Sequence, residues 1–146
     1  MTQNTTTQPE NIVIIGGGAG GLELATRLGK KLGRRKQARI TLIDRNNTHL
    51  WKPLLHEVAA GSLDAGVDEV NYRGQARRNS FHFTLGTVCD LDREKREVIL
   101  APLVDSEGTK VLDERRVPYD QLVFALGSVT NDFGIPGIKE HCMVLD

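Results

Sequence analysis

Residues 11–29, NIVIIGGGAGGLELATRLG, contain the pattern that decides the fold of this chain. The run NIVII, Asn11 to Ile15, is nearly all apolar, which is typical of a strand buried on both faces of a parallel sheet. Glycines follow at once, and apolar residues then recur at the spacing of one helix face, at Leu22, Ala25, Leu28 and Leu32. The stretch therefore predicts a strand, a tight glycine turn and a helix that packs on the sheet.

A second buried strand is predicted at Arg39 to Ile43 (RITLI), closed by Asp44. The helix before it ends in a basic cluster, Lys30 to Lys36, where Gly33 is a plausible C-terminal cap. Two interpretations of this cluster remain open. It is either a solvated helix end, where positive charge suits the helix dipole, or a contact for anionic lipid headgroups.

Three glycines, Gly16, Gly18 and Gly21, form the fingerprint GxGxxG of dinucleotide-binding βαβ units. Gly16 permits the tight turn, Gly18 lets a pyrophosphate approach the backbone, and Gly21 lets helix and strand pack closely. The N–H groups and the positive dipole of the helix N-terminus would hold the phosphates. Asp44 would accept hydrogen bonds from an adenosine ribose, and its charge disfavours NADP. The motif predicts an adenine dinucleotide without separating FAD from NAD.

Weaker patterns occupy the middle of the chain. Two short helices are predicted, at Pro53–Ala60 and Asp68–Arg78. From Phe81 onward apolar and polar residues alternate, which is typical of a half-buried strand. Further strand-like runs lie at Arg96–Leu100 and Lys110–Val117, the latter preceded by a turn at 105–108. Three successive strands with short connections predict an antiparallel meander.

The last clear strand pattern is QLVFAL, Gln121 to Leu126, which ends at Gly127 and again has the composition of a buried parallel strand. In a simple NAD dehydrogenase we would expect further βα units at this point rather than a meander. The sequence therefore predicts an α/β fold, with a parallel sheet of the Rossmann type and an inserted antiparallel β-meander.

Composition limits the functional classes. Nineteen basic and nineteen acidic residues balance, which argues against a nucleic-acid partner. The sequence has no signal-peptide pattern and no apolar run long enough to span a bilayer, so a cytoplasmic chain is expected. Cys89 and Cys142 form no CxxC pair, and we expect two buried, inert thiols. The histidines share no metal-ligand spacing, and no metal site is predicted.

Three stretches together resemble one family, the bacterial type II NADH dehydrogenases. They are IVIIGGGAGGLELATRLG (12–29), HLWKPLLHEVAAGSLD (49–64) and YDQLVFALGSVTNDFGIPG (119–137). The first is similar to a wider superfamily of flavoproteins with two dinucleotide-binding domains, whereas the second is far more specific and the third supports it. Family members are respiratory NADH:quinone oxidoreductases that pass electrons from NADH through FAD to a membrane quinone. The resemblance implies that this chain is the FAD-binding N-terminal portion of such an enzyme.

The resemblance also implies a set of residues around a non-covalently bound FAD. The pyrophosphate would lie at Gly16, Gly18 and Gly21, and the adenosine ribose at Asp44. The resemblance assigns the remaining contacts as follows: Lys52 and Pro53 near the isoalloxazine ring, Val88 at the adenine, and Ala125 and Gly127 in a second turn that contacts FAD. For Lys52, stabilisation of negative charge on the reduced ring and a solvated lysine beside Pro53 both remain open. No residue is assigned a catalytic role.

Family members run to several hundred residues, with a second GxGxxG for NADH and a C-terminal membrane-anchoring part. Neither is present in these 146 residues. We expect residues 1–10 to be a disordered tail and 11–146 to be a partial FAD-binding domain, inactive on its own. NADH and quinone would be partners of the full-length protein. That protein would reach the cytoplasmic face of the inner membrane peripherally, through the missing C-terminal part alone.

Two other functions are compatible with the same residues. One is a related flavoprotein, such as a sulfide:quinone oxidoreductase or a ferredoxin-type reductase. Disulfide reductases are less favoured because no closely spaced cysteine pair follows the first helix. The other is a non-catalytic module that binds an adenine dinucleotide.

Overall fold

The computed structural model describes residues 8–49, 57, 60–62, 70–128, 131 and 133–142. Its strands are β1 (Glu10–Ile15), β2 (Ala38–Asp44), β3 (Thr48–His49), β4 (Val70–Asn71), β5 (His82–Leu85), β6 (Val88–Asp92), β7 (Glu97–Leu100), β8 (Leu103–Val104), β9 (Lys110–Leu112), β10 (Arg115–Pro118) and β11 (Gln121–Phe124). Its helices are α1 (Ala19–Leu28), which continues into a π-helical turn (Gly29–Gly33), α2 (Tyr72–Asn79) and α3 (Ile138–His141).

The central sheet is parallel and has the strand order β11-β1-β2-β5. The chain runs outward from β1 to β2 and β5, and then returns to add β11 on the other side of β1. The strand order therefore reverses between β1 and β11. In open α/β sheets, ligands bind outside the carboxyl ends of the strands at this reversal point.

One face of the parallel sheet packs on the helices. Ile14 of β1 and Leu42 of β2 are fully buried there, in a core that also contains Ala25 of α1 and Tyr72 of α2. Burial of an aliphatic side chain of this size contributes about 1.5–3 kcal/mol. The apolar spacing that predicts the α1 face is confirmed, because Leu22, Leu28 and Leu32 all pack against this core.

The other face of the parallel sheet packs on a three-stranded antiparallel sheet, in the order β10-β7-β6. Val13 and Ile43 of the parallel sheet meet Val98 and Leu100 of β7, and all four are fully buried. The parallel sheet thus lies between a helical layer and an antiparallel layer. The predicted fold class, a Rossmann-type sheet with an inserted antiparallel meander, is confirmed.

The predicted composition of the meander is wrong in one strand. The alternating run that begins at Phe81 forms β5, which pairs parallel with β2 and belongs to the central sheet. Phe83 lies opposite Leu42, with its ring 5.0 Å from that of Tyr72. Alternation does not separate these cases, because an edge strand of a parallel sheet is also half buried. The antiparallel sheet begins one strand later, at β6.

The predicted strand at Lys110–Val117 is two strands. Its first part, β9, pairs with β8 in a hairpin, and its second part, β10, pairs with β7. The predicted turn at 105–108 is confirmed. Asp105 Oδ1 accepts hydrogen bonds from the N–H groups of Glu107 (2.9 Å) and Thr109 (2.8 Å). Gly108 supplies the left-handed residue, with φ 82°.

The predicted helix at Asp68–Arg78 is confirmed in part, as α2. The Asn71 side chain caps it by accepting a hydrogen bond from Gly74 N (3.0 Å), and Ser80 ends it in the left-handed conformation. The predicted helix at Pro53–Ala60 lies outside the described residues, apart from helical Glu57 and the turn at residue 60. None of the described helices combines the length and apolar composition that crossing a bilayer requires.

The prediction that Gly33 caps the first helix is wrong. The helix continues as a π-helical turn through Gly33, and the left-handed residue that follows is Lys36, with φ 54°. Gly33 is needed for close packing instead. A Cβ atom at this position would lie 2.1 Å from the carbonyl oxygen of Ser80.

The expected burial of the two cysteines is also wrong, because Cys89 and Cys142 are both exposed. Cys89 falls at an irregularity of β6, where the pairing with β7 skips from Val88 to Asp90. An irregularity of this kind turns a side chain away from the face that alternation would give it.

Candidate functional site

The carboxyl ends of the parallel strands are joined by backbone hydrogen bonds into one edge. These bonds run from Gly16 N to Ile43 O (2.8 Å), from Ala125 N to Ile15 O (2.8 Å) and from Gly86 N to Asp44 O (2.9 Å). The turns that follow β1, β2, β5 and β11 are therefore neighbours. Most of the residues that the sequence predicts for a dinucleotide site lie on these turns.

Gly16 makes the turn out of β1 with φ 102°, a conformation that residues with side chains rarely adopt. A Cβ atom there would also lie 2.5 Å from the carbonyl oxygen of Ala125. Gly16 and Ala125 are thus in direct contact at the point where the strand order reverses. The tight turn predicted for Gly16 is present, and the second turn predicted around Ala125 lies beside it.

Gly21 lies in the first part of α1, directly against the turn. A Cβ atom at Gly21 would lie 1.8 Å from the carbonyl oxygen of Gly16, a distance that no packing adjustment of a side chain can relieve. The close approach of helix and strand that the sequence predicts at Gly21 is present. It places the N-terminus of α1 at the reversal point.

Gly18 is the N-cap of α1 and differs from its neighbours in being open. Nothing lies within 4 Å of where its Cβ would be, and no side chain caps the helix. The first turn of a helix leaves N–H groups without intrahelical partners, and these attract anions. The first turn of α1 also carries no acidic residue that would repel one.

Gly17, between these glycines, is held from two sides. Its N–H donates to Asp44 Oδ2 (2.6 Å), and its carbonyl accepts from the Tyr72 hydroxyl (2.7 Å). A Cβ atom at Gly17 would lie 2.5 Å from the Tyr72 ring. The peptide groups of the glycine turn are therefore fixed in orientation by β2 and by α2.

Tyr72 is a site residue that none of the sequence motifs identifies. Its side chain is 2% exposed, and its ring stacks near His49, at 6.4 Å between centroids. Burial, together with the nearby charge of Asp44, raises the pKa of Tyr72 above its ordinary value and keeps the hydroxyl protonated as a donor. A signal was present, since Tyr72 is the one large apolar side chain in the polar helix YRGQARRN.

Asp44 lies at the carboxyl end of β2, as the sequence predicts. Its Oδ2 accepts from Gly17 N, and its Oδ1 accepts from Asn46 N (2.8 Å). Each carboxylate oxygen has a second lone pair, so the half-buried carboxylate retains the capacity to accept further hydrogen bonds. Asp44 thus combines a structural contact to the turn with a position suited to bind hydroxyl groups.

Val88 begins β6 and is half buried, opposite Leu100. The turn before it is held by Arg115, a second residue that no sequence motif identifies. Arg115 Nη2 donates to Leu85 O (2.7 Å) and lies 2.9 Å from the Cβ position of Gly86. Its buried Nε has no hydrogen-bond partner among the described residues. Arg115 therefore ties the end of β5 to the antiparallel layer.

One further predicted residue, Gly127, makes no contact of this kind. Gly127 follows Ala125 and is exposed, with nothing within 4 Å of its Cβ position. Lys52 and Pro53 lie outside the described residues. The structure therefore brings together Gly16, Gly18, Gly21, Asp44 and Ala125, and it places Val88 on the adjacent turn.

A glycine turn that opens a helix at the reversal point of a parallel sheet defines the class of Rossmann-type α/β proteins. Within that class, the chain belongs to the pyridine nucleotide-disulphide oxidoreductase family, whose pattern residues 10–146 match.

One relative shows which members of the family this chain is similar to. The chain is 53% identical, over 94% of its length, to the type II NADH:quinone oxidoreductase of Haemophilus influenzae. The resemblance stated from the sequence is thereby confirmed. The chain spans 31% of the length of that relative.

Two solved structures have the same fold. NDH2 from Plasmodium falciparum, in complex with RYL-552, has a TM-score of 0.69 and 25% identity, over 90% of this chain and 25% of that one. The sulfide:quinone oxidoreductase of Aquifex aeolicus has a TM-score of 0.67 and 24% identity, over 90% of this chain and 27% of that one. The second likeness concerns the fold alone.

Proposed function

We propose that this chain binds FAD at the carboxyl edge of its parallel sheet and is the flavin-binding portion of an NADH:quinone oxidoreductase. The observation that carries the proposal is the open helix N-terminus at Gly18, beside Asp44, at the reversal point between β1 and β11. An anionic pyrophosphate linked to a hydroxyl-bearing ribose matches this pair of features.

The residues present fit such a ligand on three counts. The space at Gly18 is empty, so a pyrophosphate can reach the backbone N–H groups of α1. Gly16 and Gly21 are in direct contact with other backbone atoms, so the turn has little freedom to close over that space. Asp44 is half buried and keeps lone pairs for ribose hydroxyls.

Each residue has a distinct task in this proposal. The N–H groups after Gly18 bind the pyrophosphate, and Asp44 binds the ribose. Val88 meets the adenine through its backbone, on the turn that Arg115 ties to the antiparallel layer. Ala125 and Gly127 form the second turn against the ligand, at the end of β11. Lys52 and Pro53, outside the described residues, are proposed to lie near the isoalloxazine ring.

A bound flavin supplies two-electron chemistry, here the transfer of electrons from NADH to a quinone. The support for these substrates is the 53% identity to a relative that is an NADH:quinone oxidoreductase. Because the chain spans 31% of that relative, NADH and quinone are proposed as substrates of a longer protein. Residues 11–146 would be part of its FAD-binding domain, and a peripheral location at a membrane is proposed for the whole.

The experiment that tests the proposal places a methyl group in the open space at Gly18. Gly18 has φ −59° and ψ −176°, which alanine also adopts, so Gly18→Ala should fold normally. Its Cβ would occupy the space proposed for the pyrophosphate. We expect FAD affinity, followed by flavin absorbance and fluorescence, to fall by about tenfold or more, which corresponds to about 1.4 kcal/mol.

The matched control is Gly74→Ala, at an exposed helical glycine whose Cβ position has only Asn71 Oδ1, 3.9 Å away. It should leave FAD affinity unchanged. Melting curves of both variants confirm that they are folded. Failure of the parent chain to take up FAD, or equal affinity in Gly18→Ala and the parent, would refute the proposed site.

A further inference from the structure

A second concave site lies at the opposite edge of the parallel sheet, where β2 and β5 begin. The cleft has a volume of about 380 Å³ and is lined by the π-helical turn, the start of β2 and the junction of α2 with β5. Its polar lining residues are Lys36, Arg39, Ser80 and His82. This edge is remote from the glycine turn, since the two edges lie at opposite ends of the same strands.

The polar groups of the cleft are all suited to an anion. Two permanent cations, a histidine and a hydroxyl group line it, and no acidic residue does. Lys36 and Arg39 form no ion pair with any residue in the described part of the chain. Such a set of donors matches the several oxygen atoms of a phosphate group.

The cleft has a rigid backbone frame. Cβ atoms at Gly29 and Gly33 would lie 2.2 Å and 2.1 Å from the carbonyl oxygens of Asn79 and Ser80. The π-helical turn and the end of α2 thus pack backbone against backbone. Lys36 and Ser80 both adopt the left-handed conformation, with φ 54° and 58°. The chain therefore turns sharply after the π-helical turn and after α2, the two elements that form the walls of the cleft.

The two stretches that carry the polar lining residues are basic, although the whole chain is neutral and Glu10 lies opposite Ala38 at the start of β1. Residues 24–43 contain seven basic residues and no acidic one, and 72–89 contain three basic residues and no acidic one. Basic residues also compensate the negative ends of helices, but each helix end amounts to only about half an elementary charge. Even without Arg27, which is paired with Glu23, nine basic residues remain in the two stretches, more than the ends of α1 and α2 require.

We propose that this cleft is a binding site for a phosphate group, supplied either by an anionic lipid headgroup or by a free phosphate compound. Lys36 and Arg39 provide the charge, and the Ser80 hydroxyl and the His82 imidazole provide hydrogen bonds. The described residues of the cleft include no aromatic side chain other than His82. The site therefore lacks the stacking platform that a single-stranded nucleic acid would use.

His82 gives the site a local reporter. Burial and the adjacent Arg39 lower the pKa of His82 below its ordinary value. A phosphate held between Arg39 and His82 would oppose both effects and raise the pKa of the imidazole. Proton NMR of the imidazole, assigned with His82→Gln, follows binding at this cleft and not at the glycine turn.

The experiment titrates the chain with inorganic phosphate at low ionic strength, against chloride at matched ionic strength. We expect a saturable shift of the His82 resonance with phosphate alone. The variant Lys36→Asn/Arg39→Gln should weaken binding by about tenfold or more, because it removes two charge-assisted contacts. Asparagine is chosen at Lys36 since it tolerates the left-handed conformation.

A closely matched control exists on the antiparallel layer. Arg96 also has φ 54°, and Arg93 is an exposed arginine close by, so Arg96→Asn/Arg93→Gln makes the same two changes elsewhere. This variant should bind phosphate as the parent does. Absence of a saturable His82 shift, or equal weakening in the two double variants, would overturn the proposal.

Vesicles distinguish the two sources of phosphate. Co-sedimentation with phosphatidylcholine vesicles that contain phosphatidic acid, lost in Lys36→Asn/Arg39→Gln and kept in the control, identifies a lipid headgroup. Phosphate binding without co-sedimentation identifies a soluble compound. FAD uptake is measured separately, so failure at this cleft leaves the proposed flavin site untouched, and the reverse also holds.

Discussion

The two sites proposed at the edges of the parallel sheet offer hydrogen-bond donors of different kinds. At the carboxyl edge the donors are backbone N–H groups of α1, beside the open space at the Cβ position of Gly18. At the amino edge the donors are the side chains of Lys36, Arg39 and Ser80 around the cleft. Backbone donors are fixed by the fold and select a ligand by shape, whereas side-chain donors select mainly by charge. We therefore expect substitutions that alter the backbone to weaken ligand binding at the carboxyl edge. Substitutions that remove charge should weaken it at the amino edge.

The largest expected effect is at Gly21, where the carboxyl edge is most tightly packed. Gly21→Ala would place a Cβ atom 1.8 Å from Gly16 O, so strand and helix must separate. We expect a loss of about 3 kcal/mol or more in the free energy of unfolding, measured by urea denaturation. FAD uptake should be lost with it.

The contrast with Gly18→Ala makes this prediction specific. That variant should retain nearly full stability and lose FAD affinity alone. A stable Gly21→Ala chain with unchanged FAD affinity would contradict the packing argument.

An intermediate effect is expected at Tyr72, which holds the glycine turn through one hydrogen bond. Tyr72→Phe keeps the ring that fills the space beside Gly17 and removes the donor to its carbonyl. A buried carbonyl left without its partner costs about 1–3 kcal/mol. We expect a loss in this range by denaturation, with weaker FAD binding. Tyr119→Phe, a half-buried tyrosine of the other core, serves as the control.

The pH dependence of stability separates the hydroxyl from the ring. Because the pKa of Tyr72 is raised in the folded chain, its contribution is complete below the ordinary tyrosine pKa of about 10 and is lost as pH rises above it. The loss has a limiting slope of about 1.4 kcal/mol per pH unit. Tyr72→Phe should show a shallower alkaline decline than the parent chain. Identical slopes would show that Tyr72 ionises freely in the folded state.

The smallest expected effect is at Lys36, and it has opposite signs for stability and binding. Lys36→Gly relieves a left-handed conformation that costs a lysine about 1 kcal/mol, while adding chain entropy to the unfolded state. We expect a net stabilisation of about 0.5 kcal/mol by thermal or urea denaturation, together with weaker phosphate binding. Arg96→Gly should stabilise similarly and leave binding unchanged. Phosphate binding that is not weakened in Lys36→Gly would contradict the proposal that the amino edge binds its ligand through side-chain charge.

The glycine turn was predictable from sequence because its causes are local. Gly16 makes a turn with positive φ, Gly18 opens the helix and Gly21 packs against Gly16, all within six residues, and Asp44 ends a strand. Tyr72 and Arg115 were not predictable, because each acts on a partner distant in sequence, Gly17 and Leu85. Their importance comes from tertiary contacts that no local pattern encodes.

The errors in the predicted fold also arise from tertiary contacts. The strand at Phe81 alternates in a way that suits either sheet, and only its pairing with β2 decides which one it joins. Gly33 follows the rule for helix caps, yet its small size is used against Ser80 while Lys36 takes the left-handed turn. A glycine pattern shows where a side chain is excluded, but it does not show whether conformation or packing excludes it.

The contact between Gly16 and Ala125 has a consequence for how the chain is made. The glycine turn leaves the ribosome before β11, which supports it and follows more than a hundred residues later in the chain. Contacts of such high sequence separation form late in folding. The glycine turn therefore lacks the support of β11 until translation has passed residue 124, and the proposed cofactor site is complete only from that point.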